Sequence, residues 1–232
     1  MRAPGGPRDR QVLFGERVET QGTADGWTRI KADKDGYTGY VASPSLGPDH
    51  PPTHWISAPS SHIYSAADLK SPDLMALSFG SRITMISQTG KYIETRAGFI
   101  PRTHLTPVGT HMNDPLEVAR LFLGSPYLWG GNSRFGLDCS GLVQAAYLAC
   151  GRPCPGNSHQ QETALGAVLS AGTAPRRGDL LFWKGHVAMV VDADTVLHAN
   201  AFHMAVSYEP LQGAVERIKA QGEGPVASHI RP

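Results

Sequence analysis

One cysteine of this chain stands where a helix is expected to begin. Cys139 follows Asp138, and apolar residues then recur at helical spacing as far as Cys150, where Gly151 supplies a stop. A helix N-terminus carries a partial positive charge and unpaired N–H groups, so it favours a thiolate over a thiol. The position of Cys139 therefore predicts a nucleophile at neutral pH.

Such a nucleophile needs a base within hydrogen-bonding distance, and the base needs a third group to hold its ring. Histidine suits the role of base because its pKa lies near neutrality. The chain has ten histidines, so position must choose among them. His186 begins one predicted strand and His198 ends the next, with His203 nearby as an alternative to His198.

These two histidines meet in only one register of the predicted hairpin. Its strands cover residues 187–191 and 195–200, on either side of Asp-Ala-Asp. With an odd-length loop, residue 188 pairs with residue 198, and His186 becomes the diagonal neighbour of His198, about 7–8 Å away at Cα. An even-length loop would turn the two rings to opposite faces of the sheet. We predict the odd register.

The elements around these residues indicate a mixed domain. Asn113-Asp114-Pro115 predicts the start of a first helix that extends to Leu123, and irregular structure is expected from the end of the second helix to about Arg177. Four strands are predicted after that, over residues 179–183, 187–191, 195–198 and 204–207. Helices followed by antiparallel strands predict an α+β domain over residues 110–232.

The first half of the chain contains an internal repeat. Residues 14–18 (Phe-Gly-Glu-Arg-Val) match residues 79–83 (Phe-Gly-Ser-Arg-Ile). Each copy also has an aromatic residue six positions before a leucine (Tyr40 and Leu46; Phe99 and Leu105). Both copies have short, alternating segments rich in Val, Ile, Thr and aromatic residues. The repeat predicts two small all-β barrels in tandem, over residues 1–50 and 51–109.

Composition narrows the class of protein. The 232 residues are 41% hydrophobic, which is enough for a packed core, and the net charge of +1 argues against duplex DNA or an anionic membrane as partner. No run approaches the roughly 20 apolar residues of a membrane span. The first seven residues lack the apolar core of a secretory signal, which predicts a cytoplasmic protein, or a periplasmic or extracellular one if the native start lies upstream. Three cysteines do not predict a disulfide framework.

In their order along the chain, five motifs resemble the NlpC family of papain-like cysteine peptidases, which cut bacterial cell-wall peptides. They are Pro-Tyr-Leu-Trp-Gly-Gly (126–131), Asp-Cys-Ser-Gly-Leu-Val-Gln (138–144), Gly-Asp-Leu-Leu-Phe-Trp (178–183), Gly-His-Val-Ala-Met-Val (185–190) and Leu-His-Ala (197–199). The two repeats resemble bacterial SH3-like domains. The resemblance implies a papain-like α+β domain behind two SH3-like barrels.

Specific roles follow from this resemblance. It implies that Cys139 is the nucleophile, His186 the base, His198 the residue that orients His186, and Tyr127 a donor to the oxyanion. It also implies a substrate pocket that includes Trp129, Asp138, Ser140 and Ser158. Trp129 fits a core aromatic equally well, and Asp138 fits a charge at a helix start. The family's Pro-Arg-Asp-Ser segment is Pro-Gly-Asn-Ser here, over residues 155–158, so this segment lacks the arginine and the carboxylate that would hold the peptide's free carboxylate or amine.

The implied activity is that of a γ-D-glutamyl-L-diamino acid endopeptidase. Its substrates would be murein stem peptides with diaminopimelate or lysine, met in cell-wall recycling or turnover, and it would need no cofactor or metal. We expect a monomer, and the barrels would either bind wall polymer or narrow the cleft. Three alternatives stay open: an amidase or acyltransferase on the same scaffold, a non-catalytic murein-binding adaptor, and a zinc site made of one cysteine and two histidines.

Overall fold

The computed structural model describes all 232 residues, which form two compact units. The first unit contains Met1–Thr110 and Ser133–Phe135, and the second contains His111–Asn132 and Gly136–Pro232. Both predicted barrels thus lie in the first unit, and their division near residue 50 stays a prediction. None of the helices has the length and apolar character needed to cross a membrane.

The first unit is all-β. Its strands are β1 (Val18–Ala24), β2 (Trp27–Ala32), β3 (Thr38–Ala42), β4 (His54–Ile56), β5 (Ser60–Tyr64), β6 (Asp73–Ser78), β7 (Arg82–Ile83), β8 (Ser87–Thr89), β9 (Tyr92–Thr95), β10 (Gly98–Pro101) and β11 (Leu105–Pro107). They form three antiparallel sheets with strand orders β1-β2-β3, β6-β5-β10-β9-β8 and β11-β4-β7. The buried side chains of Ile56, Ile63, Leu77, Ile83 and Ile100 form one core cluster.

The internal repeat is visible in these strands. β2 and β3 form a hairpin that continues into a 3-10 turn before Leu46, and β9 and β10 form a hairpin that continues into a 3-10 turn before Leu105. The glycines that follow the matched phenylalanines, Gly15 and Gly80, have φ of 72° and 87°. That left-handed conformation costs glycine least, which explains why both copies keep it.

The second unit is built around a six-stranded antiparallel sheet. Its elements are α1 (Pro115–Arg120), β12 (Asn132–Ser133, of which Ser133 belongs to the first unit), β13 (Gly136–Leu137), α2 (Cys139–Ala149), α3 (Ser158–Ala164), β14 (Ala167–Val168), β15 (Leu180–Trp183), β16 (His186–Val190), β17 (Thr195–Asn200), β18 (Ala205–Pro210), α4 (Leu211–Ile218) and β19 (Ser228–Arg231). The sheet order is β14-β19-β15-β16-β17-β18, and β12 pairs with β13 in a separate ribbon.

Two helices fix the sheet. α2 packs against β16 and β17, and α4 packs against β17 and β18. A buried cluster joins alternate residues of the sheet to α4: Leu181, Trp183, Ala188, Val190 and Val196 pack with Ala214 and Ile218. Burial of each large aliphatic side chain stabilises the fold by about 1.5–3 kcal/mol. This packing fixes β16 and β17, the strands that carry the two predicted histidines.

The structure corrects three expectations about local structure. α1 ends at Arg120, and Leu123 lies in the turns that follow it. The stretch expected to be irregular contains α3 and β14. Helices do not all precede the strands, because α4 and then β19 follow β18, and β19 lies inside the sheet between β14 and β15. The α+β class is confirmed.

Candidate active site

The predicted nucleophile is the first residue of α2. Asp138 is the N-cap, and one of its carboxylate oxygens accepts hydrogen bonds from Gly141 N at 2.7 Å and Ser140 Oγ at 3.0 Å. The other oxygen accepts from Gly130 N at 3.0 Å. Asp138 therefore fastens the preceding loop to the start of the helix, and Cys139 sits where the helix dipole favours negative charge.

A close backbone approach explains the glycines around this helix start. A Cβ atom placed on Gly141 would lie 2.5 Å from Gly131 O, closer than real Cβ contacts come. The loop therefore packs directly on the first turn of α2, which leaves Cys139 only 6% exposed. Small residues at these two positions keep the thiol at a tight, partly covered surface.

The hairpin has the predicted odd register. Met189 pairs with Leu197 and Val190 with Val196, which sets residue 188 opposite residue 198. His186 and His198 consequently lie on one face, and His186 Nε2 is 2.9 Å from His198 Nδ1. The prediction of the register is confirmed.

The alternative histidine lies elsewhere. His203 forms hydrogen bonds through its backbone N–H, at 2.7 Å, and its Nδ1, at 3.0 Å, to Asn200 Oδ1. His198 rather than His203 is thus the residue that contacts the His186 ring.

The thiol lies next to the residue that precedes the first histidine, at the start of β16. The Cys139 thiol donates a weak hydrogen bond to the carbonyl oxygen of Gly185, the residue before His186, at a distance of 3.9 Å. Burial, His198 and Arg217 lower the pKa of His186 to about 3, so its ring is neutral at pH 7. A neutral imidazole keeps one unprotonated nitrogen, which is what a base for the Cys139 proton requires.

Tyr127 lies beside the same thiol. Its backbone N–H donates to Met204 O at 2.9 Å, which ties it to the segment before β18. Burial and the nearby charges of Cys139 and Asp138 raise the pKa of Tyr127 above its usual value. The hydroxyl therefore stays protonated at neutral pH and is available as a hydrogen-bond donor next to Cys139.

Two residues that sequence reasoning missed extend this group. His198 Nε2 is 2.9 Å from Glu209 Oε2, and the Glu209 carboxylate accepts two hydrogen bonds from Arg217, at 2.8 Å and 2.7 Å. Glu209 pairs with Val196 across β17 and β18, which makes it the diagonal neighbour of His198. The alternation of β18 could have indicated it, because Glu209 is a buried charge in a strand next to the predicted His198 strand.

The predicted substrate residues fall in different settings. Trp129 is 67% exposed, so it is not a core aromatic. The buried Gln161 side chain donates to Ser140 O and to Pro155 O, each at 2.9 Å. That amide ties residues 155–158, including Ser158 at the first position of α3, to the start of α2. Their roles toward a substrate remain predictions.

The other two cysteines differ from Cys139 in environment. Cys150 and Cys154 are both free thiols, and Cys154 is buried. Burial raises the pKa of the Cys150 thiol. No three or more His, Cys, Asp or Glu side chains are grouped as a metal site would require.

Known families and proteins resemble this chain. Residues 124–220 match the model of the NlpC/P60 family, and residues 1–46 match that of the bacterial dipeptidyl-peptidase Sh3 domain. A Bacillus subtilis protein named gamma-D-glutamyl-L-lysine dipeptidyl-peptidase is 31% identical over 216 residues, which are 82% of this chain and 71% of the relative. The chain belongs to the NlpC/P60 family.

Two more NlpC/P60 relatives extend the likeness. A Bacillus cereus protein, also named gamma-D-glutamyl-L-lysine dipeptidyl-peptidase, is 24% identical over 237 residues, or 88% of this chain and 70% of the relative. The crystal structure of an NlpC/P60 family protein from Bacillus cereus superposes with a TM-score of 0.78 at 21% identity, covering 96% of this chain and 81% of the other. The superposition on this crystal structure establishes that the two proteins share a fold.

Proposed function

We infer that this NlpC/P60 protein is a cysteine peptidase that hydrolyses the bond between γ-D-glutamate and an L-diamino acid in murein stem peptides. The observation that carries the proposal is the line of contacts at one end of the sheet. It runs from Cys139 at a helix N-terminus, past Gly185, to the bonded pair His186 and His198. The names of the two Bacillus dipeptidyl-peptidases support this bond as the target.

The first chemical step forms a thioester. His186 takes the proton of the Cys139 thiol, and the sulfur attacks the γ-carbonyl carbon of D-glutamate. Negative charge then develops on the carbonyl oxygen, where the Tyr127 hydroxyl and backbone N–H groups of the helix start stabilise it. As the C–N bond breaks, His186 gives its proton to the leaving amine of the diamino acid.

The second step returns the free enzyme. Water attacks the thioester carbon while His186 accepts one of its protons, and the C–S bond breaks to release the γ-carboxyl group of the D-glutamyl product, which loses its remaining proton to solvent. The proton held by His186 then restores the Cys139 thiol. His198 holds the His186 ring in place throughout, because their nitrogens are already 2.9 Å apart in the free protein.

Product analysis tests the proposal. The purified protein is incubated with L-alanyl-γ-D-glutamyl-L-lysine and with its diaminopimelate counterpart, and products are identified by mass spectrometry. We expect L-alanyl-D-glutamate and the free diamino acid from wild type, and intact peptide from Cys139→Ala. Persistent intact peptide with the wild-type protein would contradict the proposal.

Two further substrates sharpen the assignment. A tripeptide with an acetylated N-terminus tests whether the enzyme needs the free amine, which a recycling enzyme would require and a wall-degrading lysin would not. Release of the L-alanyl group from intact murein would instead indicate the amidase alternative.

A further inference from the structure

The hydrogen bonds that link Arg217, Glu209, His198 and His186 can have only one donor-to-acceptor direction. At the far end lies Arg217, whose guanidinium only donates hydrogen bonds and stays charged at any pH the protein meets. Its Nε donates to Glu209 Oε1 at 2.8 Å and its Nη2 to Glu209 Oε2 at 2.7 Å. Gln221 accepts from Arg217 Nη1 at 2.8 Å, and the Phe202 ring lies 4.6 Å from the guanidinium carbon, so the side chain is held.

The Glu209 carboxylate, which Arg217 holds, determines which nitrogen of His198 carries the proton. An ionised carboxylate only accepts hydrogen bonds, so a proton must sit on His198 Nε2, which lies 2.9 Å from Glu209 Oε2. Arg217 and His198 lower the pKa of Glu209 to about 2 against the opposing effect of burial, which keeps the carboxylate ionised. Burial lowers the pKa of His198 despite the carboxylate beside it, so its ring carries a single proton and Nδ1 is an acceptor.

The His198 tautomer in turn determines which nitrogen of His186 carries the proton. Because His198 Nδ1 accepts, His186 Nε2 must donate across the 2.9 Å contact. A neutral His186 then has its lone pair on Nδ1, which is the nitrogen left for the Cys139 proton. One donor-only side chain, three steps away, thereby decides which nitrogen of the base is free.

We propose that Glu209 and Arg217 are positioning residues that fix the tautomers of His198 and His186, so that His186 Nδ1 faces the nucleophile unprotonated. The inference rests on the proposed function, since it assigns these two residues a part in the same reaction. Neither residue contacts the reacting atoms, and each acts through His198.

Few charged groups surround the chain of hydrogen bonds from Arg217 through Glu209 and His198 to His186, which we call the relay. From the turn between β17 and β18, His203 Nδ1 lies 4.0 Å from Glu209 Oε2, and on the sheet His186 lies on the other side of His198. From α4 comes Arg217, and Glu223 of the following π-helical turn raises the pKa of that guanidinium further. None of these groups offers Glu209 a second permanent cation, so Arg217, with the hydrogen bond from His198, keeps the carboxylate ionised.

Ring-nitrogen protonation can be read directly. Full-length protein labelled with ¹⁵N-histidine is studied at pH 7 by long-range ¹H–¹⁵N correlation, with the His198 and His186 signals assigned from His198→Leu and His186→Leu. We expect wild type to carry the proton on Nε2 of both rings. In Glu209→Gln, whose amide also donates, we expect a population of His198 protonated on Nδ1.

Kinetics with the tripeptide complete the test. Glu209→Gln should lower kcat on the order of 10²-fold with KM within about threefold, less than the roughly 10⁴-fold loss that follows when the direct partner of a catalytic histidine imposes the wrong tautomer. Glu216→Gln is the matched control, because Glu216 is exposed on α4 and accepts only from Gln212. It should leave the tautomers and kcat unchanged.

Three results would overturn the inference. They are a wild-type His198 protonated on Nδ1, unchanged tautomers in folded Glu209→Gln, and a changed tautomer with kcat within threefold of wild type. If Glu209→Gln does not fold, the wild-type spectrum decides alone. The spectrum needs no turnover, so failure of peptide cleavage, which would count against the proposed function, is distinguished from failure of the relay.

Discussion

The second unit contains two hydrogen-bond networks that each join a carboxylate, an arginine and a histidine. Only one of them leads toward a cysteine. In the first, Glu209 accepts from Arg217 through both oxygens and from His198 Nε2. In the second, Asp179 accepts from Arg231 through both oxygens, at 2.8 Å and 2.7 Å, and from His229 Nε2 at 2.7 Å. Each arrangement lowers the pKa of its carboxyl group to about 2.

The networks differ at the second nitrogen of the histidine. His198 Nδ1 bonds to His186, whereas His229 Nδ1 has no hydrogen-bond partner in the protein. Asp179 also accepts from Arg176 N at 2.9 Å, so the second network ties β19 to the turn before β15. A histidine that is bound by a carboxylate and an arginine therefore need only tie elements of the fold together. It becomes part of a candidate active site only where its second nitrogen contacts another histidine close to a thiol.

The largest effect should come from removing the thiol that only one network reaches. We expect Cys139→Ala to lower kcat/KM for the γ-D-glutamyl tripeptide on the order of 10⁴-fold or more, because no other group forms the thioester. Cys150→Ala is the control and should stay within about twofold of wild type. Activity of Cys139→Ala within tenfold of wild type would exclude Cys139 as the nucleophile.

The next test replaces the two matched histidines by leucine, which has a similar volume and no nitrogen. His198→Leu should lower kcat about 10³-fold with little change in KM, because the His186 ring loses its only oriented partner. His229→Leu should leave both constants within about twofold. Equal losses from the two variants, measured in the same steady-state assay, would break the comparison.

The second network, around Asp179, should contribute to the free energy of unfolding and not to catalysis. Asp179→Asn removes the charge that Arg231 and His229 share, and we expect the free energy of unfolding to fall by about 2 kcal/mol. Urea denaturation measures this loss, and kcat/KM per folded molecule should remain within about twofold of wild type. A large fall in kcat/KM at full folding would give the second network a catalytic role that its geometry does not predict.

The smallest effect concerns acid. The pKa of His186 is about 3 in the folded chain against 6.5 for a free imidazole, so its contribution to stability is complete above pH 6.5 and is lost as the pH falls toward 3. Glu209 adds a second loss below about pH 4.5, the ordinary value for its carboxyl group. Urea unfolding at pH 7, 5.5 and 4 should show falling stability.

The slope of this acid effect can be bounded. It should approach about 1.4 kcal/mol per pH unit for each proton taken up on unfolding. His229→Leu keeps His186 and should retain the slope between pH 6.5 and 4.5, whereas His186→Leu should make it shallower and leave the part due to His198, whose pKa is also lowered. Stability that is constant or rises down to pH 4 in wild type would contradict the assignment of a neutral His186.

The sequence predicted those parts of the site that depend on local patterns. The helix start at Cys139 follows from Asp138 and the apolar spacing behind it, and the His186–His198 contact follows from the parity of one short hairpin loop. Both rest on neighbours within a few residues along the chain. Register, once fixed by a loop, decides a whole face.

Other parts depended on contacts that no local pattern records. β19 joins the sheet beside β15, about 50 residues earlier in the chain, and its partner could not be read from periodicity. α3 has one buried residue, Gln161, so its sequence has no apolar stripe from which a helix could be predicted. α4 is different: Leu211, Ala214 and Ile218 recur at helical spacing, and this signal could have found the helix that carries Arg217.

The most direct measurement of the central claim is the rate at which each free thiol reacts with dilute iodoacetamide at pH 6, followed by peptide mass mapping. Cys150 and Cys154 serve as internal controls, since burial raises the pKa of the first and the second lies in the loop after α2, not at a helix start. We predict selective modification of Cys139, with that selectivity lost in His186→Leu. Modification of Cys139 no faster than of the other two cysteines would contradict the account.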